Sequence, residues 1–88
     1  MVLVHGHQII GEITAGKNLF FHNGVLVGTV KGQYPTLGND VTLGARAVII
    51  GGIHLGDGCR VGAAAVVVKD VPAGATVVGN PARIVGVA

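Results

Sequence analysis

The 88-residue sequence has no tryptophan, a single cysteine and only three aromatic residues, Phe20, Phe21 and Tyr34. A core without large rings must be assembled from Val, Ile, Leu and Ala, and half of the residues are apolar. The lone Cys59 excludes an intrachain disulfide and a zinc site of several cysteines. Charge is scarce too: six Lys/Arg against four Asp/Glu leave a net charge of +2. The cations are spread from Lys17 to Arg83 and are not interleaved with aromatics, so no nucleic-acid partner is expected. No apolar run reaches the ~20 residues of a membrane span. The opening MVLVHGHQ lacks a charged start followed by a long apolar stretch, so it does not read as a secretory signal. Neither membrane nor export is expected, and the cytoplasm is the default location. The length suits one domain over residues 1–88. A chain of this size buries only roughly 60–65% of its surface, so a partner chain is expected before any motif is read.

The sequence does have a period of six. Stepping from Leu37 gives Leu43, Ile49, Leu55, Val61, Val67 and Ala73; stepping back from Val27 gives Phe21, Ala15, Ile9 and Leu3. A helix repeats near 3.6 residues and a strand near 2, so neither explains this spacing. Glycine follows the marker at positions 16, 28, 38, 44, 56, 62 and 74, which suggests a corner that uses the positive φ open to glycine. Four residues after the marker stand further apolar residues, among them Val25, Val41, Ala47, Ile53, Cys59 and Ala65, which are expected to point inward. The two series are separated by ten residues, one repeat plus four, so a loop protrudes at about residues 29–36. The physical solution is a solenoid in which each hexad supplies one short strand and one corner, and successive coils pair strand to strand. After Val78 the repeat stops, and residues 79–88 are expected to form a C-terminal tail or short strand.

The hexads LGNDVT, LGARAV, LGDGCR and VGAAAV resemble the hexapeptide repeats of left-handed parallel β-helix proteins. The resemblance implies an all-β fold, a left-handed parallel β-helix of about four triangular coils with one protruding loop. VVVKDVPAGATVVGNPARIVG (residues 66–86) resembles the closing segment of hexapeptide-repeat acyltransferases, as in serine acetyltransferases and polysaccharide O-acetyltransferases. GKNLFFHNGVLVG followed by PTLGNDV resembles their loop-bearing coil. The implied reaction is transfer of an acetyl group from acetyl-CoA to a hydroxyl or amine of a small molecule or sugar. The implied assembly is a homotrimer with the co-substrate in a groove between subunits. The resemblance further assigns Gly28, Ala45 and Ala63 to close backbone approach along that groove, and Lys69 and Arg83 to its phosphates.

Acyl transfer to a hydroxyl needs a base near neutral pH, and histidine suits it. The candidates are His5, His7, His22 and His54. LVHGHQIIGE resembles the family segment in which a catalytic His precedes an apolar pair and Gly-Glu, and this puts His5 first. From His5 to Gly11 the spacing is one residue shorter than in serine acetyltransferases, which leaves His7 as an alternative equivalent. His22, seventeen residues after His5 and so almost one coil on, is the second site candidate. His54 ends a hexad and is expected to face solvent. No metal is required: the imidazoles and the few acids show no recognisable ligand spacing. Tyr34 stands before Pro35 where many serine acetyltransferases have His, and neither their orienting acid nor their helical N-terminal domain is found in the 88 residues. The second reading is therefore a non-catalytic or truncated trimeric hexapeptide-repeat scaffold.

Overall fold

A computed structural model describes residues 9–10 and 14–87, with burial given from residue 14 onward. Twelve short strands run in chain order: β1 (Ile9–Ile10), β2 (Thr14–Ala15), β3 (Phe20–Phe21), β4 (Val25–Gly28), β5 (Thr36–Leu37) and β6 (Thr42–Leu43). They continue with β7 (Val48–Ile50), β8 (His54–Leu55), β9 (Arg60–Val61), β10 (Val66–Val67), β11 (Ala75–Val78) and β12 (Arg83–Val87). Every third strand shares a sheet: β1-β4-β7-β10, β2-β5-β8, and β3-β6-β9-β11, all parallel, with β12 added antiparallel to β11. This is the left-handed β-helix expected from the repeat, with about four coils.

From β2 onward, each two-residue strand turns its first side chain outward and its second inward. Thr36, His54 and Arg60 are exposed, while Leu37, Leu55 and Val61 are buried. The hexad markers from Phe21 to Val67 and the companion column from Val25 to Val77 form one continuous apolar core with no buried polar side chain among the described residues. Backbone bonds run along the prism axis, each coil donating to the next: Thr42 N–H to Cys59 O at 3.0 Å, Gly44 to Val61 at 2.8 Å, Val48 to Ala65 at 2.8 Å.

The coils are not uniform. The standard coil is eighteen residues, as in Thr36↔His54 and Val48↔Val66. The loop-bearing coil is twenty-two, as in Thr14↔Thr36. The first and last are sixteen: Ile9 stands opposite Val25, and Leu55 opposite Val71. Two steps of the six-residue series therefore fail. Ile9 is in register with Val25 rather than Val27, and Ala73 is exposed in a turn while Val71 and Val77 take the inward places. A shift of two preserves the in–out alternation, so the core continues through the last short coil.

The recurring glycines also have a different cause from the one expected. Of the glycines after the markers, only Gly74 has a positive φ. At Gly44 an added Cβ would lie 2.5 Å from Ala63 N, and at Gly56 2.5 Å from Ala73 N, so close approach of the next coil requires glycine there. The other left-handed corner positions fall two residues later and are filled by Asn18, Asp40, Arg46 and Ala64 as well as Gly24 and Gly58. The loop at residues 29–35 folds back through the Val30↔Gln33 bridge and lies on Gly51 and Gly52 of the following coil.

Candidate functional site

The corner between the third sheet and the first carries three stacked turns: His22–Asn23–Gly24, Gly44–Ala45–Arg46 and Gly62–Ala63–Ala64. The stack is held by backbone bonds from His22 N to Leu43 O (3.1 Å), Arg46 N to Asn23 O (3.0 Å) and Ala64 N to Ala45 O (2.8 Å). Ala45 and Ala63 thus occupy equivalent places on successive coils. Their own N–H groups donate to no acceptor among the described residues. The turn after β11 continues this corner: Val66 N donates to Gly79 O at 2.9 Å and Ala82 N to Val66 O at 2.8 Å. From the His22 turn to the Gly79 turn the column climbs three strand spacings, about 14 Å.

Beyond the upper end of this column lies a cleft of about 320 Å³. Its walls include Val67, Val71, Val77 and Ile84, and both Lys69 and Arg83 line it with Asp70. Two cations fourteen residues apart in sequence thus meet in one cleft, because the chain returns past the last coil as β12. Asp70 also accepts a hydrogen bond from His54 N at 2.8 Å.

The sequence-derived residues fall into separate places. His22, Ala45 and Ala63 share the corner, and Lys69 and Arg83 share the cleft above it. Gly28 ends β4 at the opposite edge of the first sheet, where its carbonyl accepts from Gly51 N at 3.0 Å. His5 and His7 lie outside the described residues. His54 is exposed as expected, with its Nδ1 sharing a 3.1 Å hydrogen bond with Thr36 Oγ1. Among the described residues no cluster of three or more His, Cys, Asp or Glu side chains has metal-binding geometry. Arg46 belongs to the corner and was missed by sequence reading, since a lone cation inside a hexad looks like a solvated surface residue.

An apolar-cored prism with a small-residue corner ending in a cationic cleft defines a hexapeptide-repeat β-helix. Residues 34–69 match the family described as bacterial transferase hexapeptide (six repeats), and the resemblance to hexapeptide-repeat acyltransferases holds. The chain is 43% identical over 82 residues to a serine acetyltransferase of Helicobacter pylori, covering 88% of this chain and 48% of that protein. It is 42% identical over 76 residues to a 2,3,4,5-tetrahydropyridine-2,6-dicarboxylate N-acetyltransferase of Staphylococcus aureus, covering 82% of this chain and 32% of that protein. Among solved structures, a Brucella abortus serine acetyltransferase in complex with coenzyme A superposes with a TM-score of 0.84 at 32% identity, over 93% of this chain and 34% of that one. The chain spans from about a third to about a half of the length of these relatives.

Proposed function

We propose that this chain forms the acetyl-CoA-dependent acyltransferase β-helix of a homotrimer, moving an acetyl group to a hydroxyl or amine of a small acceptor. The observation that carries this reading is the corner column: small residues, unpaired N–H groups on successive coils, an imidazole at one end and two cations in a cleft at the other. An extended thioester co-substrate fits such a column. Its phosphates would meet Lys69 and Arg83 through charge-assisted hydrogen bonds, its amides the backbone of Ala45 and Ala63, and its reacting end the His22 turn. Gly28, at the far edge of the same sheet, belongs to the groove only if a second subunit brings that edge to it.

The chemistry asked of this chain is to hold and move a proton and to stabilise one developing charge. An imidazole takes the acceptor's proton as its oxygen or nitrogen bonds to the acetyl carbon. The C–S bond then breaks and the leaving thiolate recovers that proton. A backbone N–H at the corner stabilises the charge that develops on the carbonyl oxygen. No covalent intermediate on the chain is needed, and Cys59, fully buried in the core, is not placed to form one. His22 and His5 are the two imidazoles to test.

Thermal unfolding with and without millimolar CoA, followed by thiol release from acetyl-CoA with a panel of hydroxyl and amine acceptors, tests the reading. Protection by CoA and acceptor-dependent release are expected. Loss of the base, by His5→Asn or His22→Asn, lowers turnover by about 10²–10⁴ and removes the acidic limb of the pH profile. No protection and no release would leave the non-catalytic scaffold.

A further inference from the structure

We propose that Asn23–Gly24 is a site of spontaneous succinimide formation, at which Asn23 loses its amide nitrogen and becomes isoaspartate or aspartate within the folded corner. The chemistry needs only water and no acyl donor. The backbone nitrogen of Gly24 attacks Asn23 Cγ and closes a five-membered ring. The Cγ–Nδ2 bond breaks, and ammonia leaves carrying the proton of the Gly24 N–H. Water then opens the ring: at the α carbonyl it leaves the main chain running through the side-chain carbon as isoaspartate, and at the other carbonyl it gives aspartate. Both residues are exposed in the turn after β3. The Gly24 N–H, the group that must attack, donates to no acceptor among the described residues. The carbonyl of the same peptide unit accepts from Arg46 N at 3.0 Å, which draws electron density from the unit and makes that N–H easier to deprotonate. Glycine also leaves the nitrogen open to Asn23 Cγ, where a Cβ would crowd the approach and would itself lie 3.0 Å from Arg46 Cγ. The comparable positions are shut. Asn80 precedes Pro81, which has no N–H. Asn18 and Asn39 precede Leu19 and Asp40, whose Cβ atoms crowd the nitrogen, and Asp40 N donates to Lys17 O at 2.8 Å. Asp57–Gly58 has the reactive spacing, yet Gly58 N donates to Asn39 O at 2.8 Å and Asp57 Oδ1 accepts from Asn39 N at 2.7 Å. The two dipeptides are alike in sequence and opposite in structure. Isoaspartate adds one main-chain atom and a carboxylate to a turn that stacks on Gly44–Ala45–Arg46, so the corner of an aged molecule differs from that of a new one.

The test is peptide-mapping mass spectrometry of the folded chain held in neutral buffer for weeks, beside the same chain unfolded in guanidinium. Rates are read separately at Asn23 and Asp57, and isoaspartate is counted by enzymatic carboxyl methylation. Folded Asn23 is expected to convert within about tenfold of its unfolded rate, whereas passage through global unfolding alone would slow it about a thousandfold or more. Folded Asp57 is expected to isomerise about a hundredfold or more slower than in the unfolded chain, as its bonded N–H must first open. N23A introduces the residue found at the equivalent places 45 and 63, and N23Q keeps an amide that would need a six-membered ring. Both should lose the modification and keep the parent's circular dichroism. If the folded chain holds Asn23 unchanged while the unfolded chain converts it, the corner protects the dipeptide and the proposal falls. It falls too if folded Asp57 keeps as large a share of its unfolded rate as Asn23 does, because the unbonded N–H would then not be what selects the site.

Discussion

A methyl group added to Gly44 would sit 2.5 Å from the amide nitrogen of Ala63, and the obstacle is backbone, which cannot swing aside. Gly44→Ala is therefore expected to lower stability by about 2 kcal/mol, with the urea midpoint falling at unchanged slope. Gly58→Ala meets nothing within 4 Å and suffers only from its φ of +71°, an effect of about 1 kcal/mol. A Gly44→Ala protein as stable as the parent would mean that the coils can separate locally. Cys59 supplies the pH-dependent counterpart. Burial pushes its thiol up from 9.0 to about 11; a backbone hydrogen bond opposes the shift and the charge of Asp57 adds to it. The neutral thiol is thus favoured in the folded chain. As pH rises past about 9 the unfolded chain ionises first, binds fewer protons than the folded one, and stability falls until about pH 11. Cys59→Ala lacks this contribution, so the parent should lose stability relative to it between pH 8 and pH 10.5. A constant difference between the two denaturation curves would contradict the assignment.

At the scale of strands and loops, the hexad period makes the core legible, since a buried position every six residues can only be stacked columns. What the period hides is how long each corner is. The last coil reaches Val71 in four residues from Val67 where earlier coils take six, so a fixed step lands on exposed Ala73. The recurring glycines were visible but their cause was not, because close approach belongs to the neighbouring coil and not to the local chain. His22, Ala45 and Ala63 could be aligned by multiples of the coil, whereas the meeting of Lys69 with Arg83 depends on β12 turning back antiparallel, which no repeat encodes. The loop is an insertion into a corner that elsewhere takes three residues, Gly51–Gly52–Ile53. Replacing residues 29–35 by Gly-Gly-Pro should keep the far-ultraviolet circular dichroism and shift stability by about 1 kcal/mol or less. A collapsed spectrum would show that Val30 and Gln33, packed over Gly51 and Gly52, hold the second and third coils together. At the other end, β12 is an exposed edge with Ile84, Val85 and Val87 all more than half open to solvent. Val85→Lys should leave the unfolding midpoint within about 0.5 kcal/mol of the parent and reduce end-to-end association in light scattering.

The three outer faces of the prism differ in chemistry, and this difference governs the whole molecule. The second sheet presents Thr14, Thr36 and His54, and the third presents Phe20, Thr42, Arg60 and Thr76. The first presents Leu26, Val48 and Val66 in one column and Ile50 beside it, with Val68 on the next coil, and no polar side chain among the described residues. Leu26 and Val68 remain 43% and 46% exposed, so the apolar face is incompletely covered in the single chain. The corner holding His22, Ala45, Ala63 and Arg46 borders this face, so lateral packing would turn the corner into the wall of a groove between subunits. The proposed trimer should therefore be sensitive to charge at Val48, and by multiplication. One Val48→Lys substitution enters three equivalent interfaces, so a local effect of about 1.5 kcal/mol becomes about 4.5 kcal/mol per assembly, more than a thousandfold in the overall association constant. Val85→Lys, at the axial end, should leave the lateral assembly intact. Sedimentation equilibrium is expected to give three times 8.8 kDa for the parent chain and for the Val85 variant, and a concentration-dependent fall toward 8.8 kDa for the Val48 variant. A parent chain that sediments as a monomer at all concentrations would overturn the trimer, and a Val48 variant that stays trimeric would move the interface to another face.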